Sequence, residues 1–140
     1  MANINVLNVK IKTGSREIAS GTDGAVFLGI AGREFRLVID AKKDFQTGST
    51  NTFVLGEGTN IGTDPRGNDP RSPYQLVTET LFKYPIYIRF EPTRQDDRWE
   101  IDEINVTVNP GSEQIVFSAL GGDSYIFLSN TDTKILYFGA

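Results

Sequence analysis

The stretch "AVFLGIAGREFRLVI", residues 25–39, decides the fold class. Two short apolar runs, "AVFLGIA" and "EFRLVI", flank a turn at Gly32–Arg33, the pattern of a β-hairpin. Its flanks are of another kind. "GTDG", residues 21–24, precedes it, and "DAKKDFQTGS", residues 40–49, follows it. The start of one strand and the end of its hairpin partner lie at the same end of a sheet. Asp23 and the Asp40–Asp44 segment are therefore expected to be neighbours. Carboxylates held close repel each other, so a cation or a lysine must relieve the strain. Lys42 and Lys43 are the lysines within reach.

The same period of two continues outward. "INVLNVKIKT", "NTFVLG", "YPIYIRFEP", "WEIDEINVTVNP", "EQIVFSAL", "SYIFLSN" and "KILYFGA" all read as strands. In "IDEINVTV" the alternation breaks at Glu103, which predicts a β-bulge. The 14 glycines and 6 prolines of the chain punctuate these runs. The best short helix is "SPYQLVTETLF", residues 72–82, with Ser72 as N-cap and Pro73 at the first position. Residues 56–73 are too long for an ordinary connection and read as a functional loop or a mobile insertion. Eight or nine short strands indicate an all-β, antiparallel sandwich, with an up-and-down barrel as the alternative. Residues 1–140 are expected to form a single domain.

Composition narrows the chemistry. The chain has no cysteine and no histidine, which removes disulfides, thiol nucleophiles, the Ser-His-Asp triad and the common zinc sites. A net charge of −4 argues against a nucleic-acid partner. The start "MANINVLNVKIK" is not a signal peptide, and no run approaches the ~18 apolar residues of a membrane-spanning helix. A cytoplasmic or peripheral-membrane location is expected.

Three loops offer oxygen ligands of the kind calcium takes. They are Gly21–Asp23, Asp40–Asn51 and the segment with Asp96 and Asp97. Asp, Gly, Thr and Asn are also the ordinary turn residues of all-β proteins, so spacing alone leaves a cation site and solvated turns both open. Asp96 and Asp97, adjacent in the chain, diverge rather than form a catalytic dyad. No enzyme constellation is present.

Three motifs carry a family resemblance. "VKIKTGSREIASGTDGAVFLGI" holds a strand ending in TG and then GTD before an alternating strand. "KDFQTGSTNTFVL" holds Asp-Phe, then Gly-Ser, then a DTF-like strand with Asn51 at the acidic position. "DRWEIDEINVTV" holds a tryptophan strand. Together they resemble the PLAT/LH2 domain of polycystin, lipoxygenases and α-toxin. Across the first two motifs the sequence looks like the toxin members, whose C-terminal domain binds calcium. The resemblance implies an eight-stranded antiparallel β-sandwich, C2-like, with a non-catalytic role in binding lipid surfaces or proteins. It implies calcium ligands at Gly21, Thr22, Asp23, Asp40, Lys43, Asp44, Asp97 and Arg98, the lysine and arginine through their carbonyls. Ala19 stands where the pattern has a ligating aspartate, and Lys42, Lys43 and Arg98 add positive charge that weakens such a site. One calcium ion is the expectation.

Trp99, Phe45 and Phe53 are expected in the core. Tyr74, Leu81, Phe82 and Tyr84 are the candidates for lipid or partner contact. Two functions follow: a calcium-binding module docking onto membrane lipid, or a protein-interaction module. The second would use residues 57–84 and the terminal strands, including self-pairing into a homo-oligomer.

Overall fold

The computed structural model describes residues 2–121 and 124–139. Among them are nine strands: β1 (Val6–Thr13), β2 (Ala25–Ile30), β3 (Arg33–Arg36), β4 (Thr50–Gly56), β5 (Ile86–Glu91), β6 (Arg98–Val108), β7 (Ile115–Ala119), β8 (Ile126–Ser129) and β9 (Ile135–Gly139). One sheet has the order β4-β1-β6-β7, with β8 also on β6, and the other has β3-β2-β5-β9. All pairings are antiparallel. The architecture is thus the expected β-sandwich and not a barrel. Strand β6 is long enough to take two partners in succession, β8 at Arg98–Ile101 and β7 at Ile104–Val108.

Alternation puts Val26, Leu28 and Ile30 of β2 against Leu7, Val9 and Ile11 of β1, all buried in one core with Phe35, Phe53, Phe90 and Trp99. The bulge falls where the sequence breaks its alternation. Lys12 pairs with Glu103 and Thr13 with Ile101, so Asp102 is the extra residue.

Between β4 and Thr78 the chain, including residues 57–73, forms no helix or strand and is tied to both sheets. The side chain of Asn60 pairs with the open edge of β4, accepting from Val54 N at 2.8 Å and donating to Thr52 O at 2.9 Å. Asn68 accepts from Arg36 N on β3 at 2.7 Å, and Gly62 N donates to Val38 O at 2.7 Å. The segment therefore covers both edges on one side of the sandwich, where unpaired backbone would invite association. The expected helix over 72–82 shrinks to a 3-10 turn at Thr78–Phe82. Backbone groups before it are spent elsewhere: Ile4 N donates to Leu76 O and Thr78 N to Ala2 O, both at 2.8 Å. Among the described residues no helix is long and apolar enough to cross a membrane.

Candidate functional site

Three loops meet at the end of the sandwich where β1, β3 and β5 finish. They are residues 14–24, 37–49 and 92–97. The first two are laced together: Thr22 N donates to Phe45 O at 2.9 Å, Gly21 N to Thr47 Oγ1 at 3.0 Å and Gly48 N to Gly14 O at 2.9 Å. Gly21 is required by this approach, since a Cβ there would lie 2.6 Å from Phe45 O and from Thr47 N. The hairpin thus brings Asp23 and the Asp40–Asp44 segment to one end, as its geometry requires.

Each carboxylate has a different environment. Asp97 is buried, and both its oxygens lie 2.9 Å from the Thr22 hydroxyl. Its Oδ2 also accepts from the Thr93 amide at 3.0 Å and the Thr93 hydroxyl at 3.1 Å. Asp97 is a brace between loops, already supplied with donors. Asp23 is exposed; its Oδ1 lies 3.1 Å from the Thr93 hydroxyl, whose one proton it shares with Asp97, and 3.8 Å from the Arg94 guanidinium. The cation against Asp23 is therefore Arg94, and neither Lys42 nor Lys43. Asp40 is spent locally: its side chain caps Lys42 N at 3.0 Å, and its carbonyl accepts from Lys43 N and Asp44 N at 2.9 Å. The Arg98 side chain turns away to Asp132 at 2.8 Å and Glu17 at 3.1 Å.

Asp44 is the exception. It is buried, and its Oδ2 accepts from Ile39 N at 2.7 Å and Asp40 N at 3.1 Å. Among the described residues its Oδ1 accepts no hydrogen bond. Burial pushes the Asp44 carboxyl up, against those two amides, and the charge of Asp40 adds to the rise. Beside it is a cavity of 20 Å³ lined by Thr22, Asp23, Gly24 and Asp44 among others. That volume suits one water or one bare ion. No group of three or more acidic residues converges at metal-binding distance among the described residues. Thr22, Asp23 and Asp44 share the lining of this one small cavity, and Asp97 and the side chain of Arg98 are engaged elsewhere.

A wider cleft of 510 Å³ opens above, lined by Gly21, Thr22, Asp23, Lys42, Thr47 and Arg94. Sequence reasoning missed its neighbour Ile18, whose side chain is fully exposed at 101%. The Ile18 carbonyl accepts from Thr47 Oγ1 at 3.4 Å, which places this apolar tip at the rim of the cleft. A lone isoleucine in the polar run "TGSREIASGTDG" is the signal that could have found it. Arg94 was also missed, because its role depends on where the third loop lands.

The expected lipid contacts lie at the other end. Tyr74, Phe82 and Tyr84 are exposed, near the β2–β3 turn and the start of β5. Phe82 pairs with Phe117 of β7 at 6.0 Å, and Tyr84 rests on Gly32. Leu81 corrects the expectation: the 3-10 turn aims it inward, where it is fully buried in the main core.

No sequence-family profile matches the chain, and no curated protein sequence matches it. Solved structures do. An alpha toxin from Clostridium absonum superposes over 97% of this chain with a TM-score of 0.60 at 17% identity, using 31% of the toxin. A coral 8R-lipoxygenase, described as calcium-activated through a C2-like domain, superposes over 96% with a TM-score of 0.57 at 16% identity, using 16% of that enzyme. An engineered lipoxygenase carrying I805W gives a TM-score of 0.52 over 96%, again with 16% of its length. The chain thus spans about a third of the toxin and about a sixth of the lipoxygenases. The likeness is one of fold, and the fold is that of the PLAT/LH2 domain.

Proposed function

We propose that this chain is a non-catalytic β-sandwich module that docks its loop end onto a membrane lipid surface, with one calcium ion held at Thr22, Asp23 and Asp44. The observation that carries the reading is the open cleft beside Asp23, lined by Lys42 and Arg94, with the exposed Ile18 next to its Thr47 wall. An apolar tip that enters the headgroup layer beside cationic side chains suits anionic lipid. A calcium ion supplies a hard cation that neutralises Asp23 and Asp44 and can bridge to phosphate oxygens. Lys42 and Arg94, which weaken the cation site, help the docking.

Co-sedimentation with vesicles of mixed phosphatidylcholine and phosphatidylserine tests the docking. The wild-type chain pellets with the vesicles, more so with calcium than with chelator, and Ile18→Asp reduces the bound fraction at least tenfold. Ile18 makes no side-chain contact to lose, so that variant keeps the wild-type melting temperature. Absence of the protein from the pellet under both conditions sinks the reading.

Calorimetry tests the ion separately. Calcium binds with one-site stoichiometry, and Asp44→Asn abolishes the heat. Because burial raises the Asp44 carboxyl, protons compete for it, so affinity drops as the pH falls from 7 into the raised carboxylate range. Equal affinity in Asp44→Asn and wild type would place the ion elsewhere.

A further inference from the structure

The end of the sandwich away from the carboxylate loops holds a second cavity, of 340 Å³. Its apolar walls are Gly32, Tyr84, Pro85 and Tyr87, and its polar groups are Arg33 and Glu34. Two glycines create it. A Cβ on Gly29 would lie 2.1 Å from the Tyr87 ring, and one on Gly32, whose φ is +81°, would lie 2.9 Å from the Tyr84 ring. Each ring therefore rests on bare backbone, while Tyr84 stays 48% exposed.

The pocket is fixed in place. Tyr87 donates to Glu34 Oε2 at 2.6 Å, and Arg89 donates to both oxygens of Glu34, at 2.9 and 2.8 Å. Tyr137 packs edge-on to Tyr87 at 5.8 Å and extends the aromatic surface onto β9. Arg33 is anchored by the carbonyls of Asp69, Ser72 and Gly67 at 3.0, 2.9 and 3.2 Å. None of these rings is needed to fill the core, which lies on the other face of the sheet.

The lining selects a ligand class. Glu34 is neutralised by Arg89 and Arg33 is spent on backbone carbonyls, so neither a free anion nor a free cation is favoured. Tyrosine faces carry negative potential and accept the weakly positive C–H face of a saturated ring. Glu34 Oε1, which takes one donor from Arg89, keeps a lone pair of fixed orientation for a hydroxyl. We propose that this pocket binds a neutral pyranose ring, stacked on Tyr84 and hydrogen-bonded through one hydroxyl to Glu34 Oε1. Free saccharide and the sugar of a glycolipid share that chemistry. The site is independent of the loop end and faces away from any membrane docked there.

The test is saturation-transfer NMR and calorimetry with methyl glucoside, galactoside, mannoside and N-acetylglucosaminide, followed by vesicles carrying the matching glycolipid. At least one pyranoside binds saturably, with a Kd near millimolar or tighter. Tyr84→Ala weakens it at least tenfold, because an exposed ring is removed without opening the core. Glu34→Gln weakens it similarly, and Ile18→Asp has no effect on it. Stronger retention on glycolipid vesicles than by free sugar assigns a lipid source, and equal binding assigns free saccharide. Failure of every pyranoside to bind, or binding unaltered in both pocket variants, overturns the proposal and leaves lipid docking untouched.

Discussion

Replacing Trp99 with alanine lowers the unfolding free energy by about 4 kcal/mol, the range for deleting a fully buried large aromatic. Trp99 is fully buried, and its ring is packed edge-on by Phe45 at 5.1 Å and at a tilt by Phe90 at 5.5 Å. Phe45 stacks in turn on Phe53 at 5.3 Å, so one indole links both sheets with the loop of residues 37–49. The indole N–H donates to the Thr13 hydroxyl at 3.0 Å, and Thr13 is itself fully buried beside the bulge. Alanine thus leaves a cavity and removes the partner of a buried hydroxyl. Phe45 also holds the left-handed region, at φ 58°, directly after Asp44. Once the indole is gone, that strained residue keeps only its stacking on Phe53 and its backbone hydrogen bonds to Thr22 and Asn51. Trp99→Phe retains most of the packing and loses the hydrogen bond, so it costs about half as much. Urea unfolding followed by far-ultraviolet circular dichroism reads these values. A loss under about 1 kcal/mol in Trp99→Ala would mean that Phe45 and Phe90 collapse onto each other without cost.

The reach of the sequence differs between fold and site for a physical reason. Strand alternation is local, so Val26, Leu28 and Ile30, or Ile104, Val106 and Val108, declare their inward face with no tertiary information. The hairpin adds one non-local fact, the shared end of Asp23 and Asp44. What the carboxylates do there depends on donors from distant segments. Asp97 reads like any acidic turn residue, yet Thr22 and Thr93 consume its oxygens. Arg94 meets Asp23 only because the loop after β5 folds over the loop before β2. Leu81 and Phe82 are adjacent and equally apolar, and only the direction of a single 3-10 turn sends one inward and the other outward. The edge-covering role of Asn60 and Asn68 is likewise silent in sequence, since asparagine in a loop reads first as a turn former.

Neutralising one buried carboxylate, by Glu100→Gln, lowers stability by about 2 kcal/mol at pH 7, the size expected when charge-assisted hydrogen bonds to a buried acceptor are weakened while the half-exposed Arg16 keeps Asp102 as a partner. Glu100 is fully buried. It accepts from the Arg16 amide at 3.0 Å, the Ser20 hydroxyl at 2.9 Å and the Arg16 guanidinium. Its main chain bonds to Ser20 O and Gly14 N at 2.9 and 3.0 Å. A Cβ on Gly14 would lie 2.0 Å from its carboxyl carbon, so the glycine of the TG motif makes room for this side chain. Glu100 thereby ties down the loop that presents Ile18. Burial by itself would raise its carboxyl, but hydrogen bonds with Asp102, Arg16 and Ser20 outweigh burial and hold it at about 2. Asp102 is pushed up in return, by burial and by its bond to Glu100. The sign follows from linkage. A carboxyl lowered in the folded state contributes stability above its unfolded pKa of about 4.3, and that contribution drains away as the pH falls toward the folded value. The gap between wild type and Glu100→Gln is therefore full at pH 7 and shrinks between about pH 4 and about pH 2. Urea midpoints measured across that range read it directly, and amide exchange at residues 15–19 rises in the variant. A gap that stays constant with pH would assign the role of Glu100 to its shape instead of its charge.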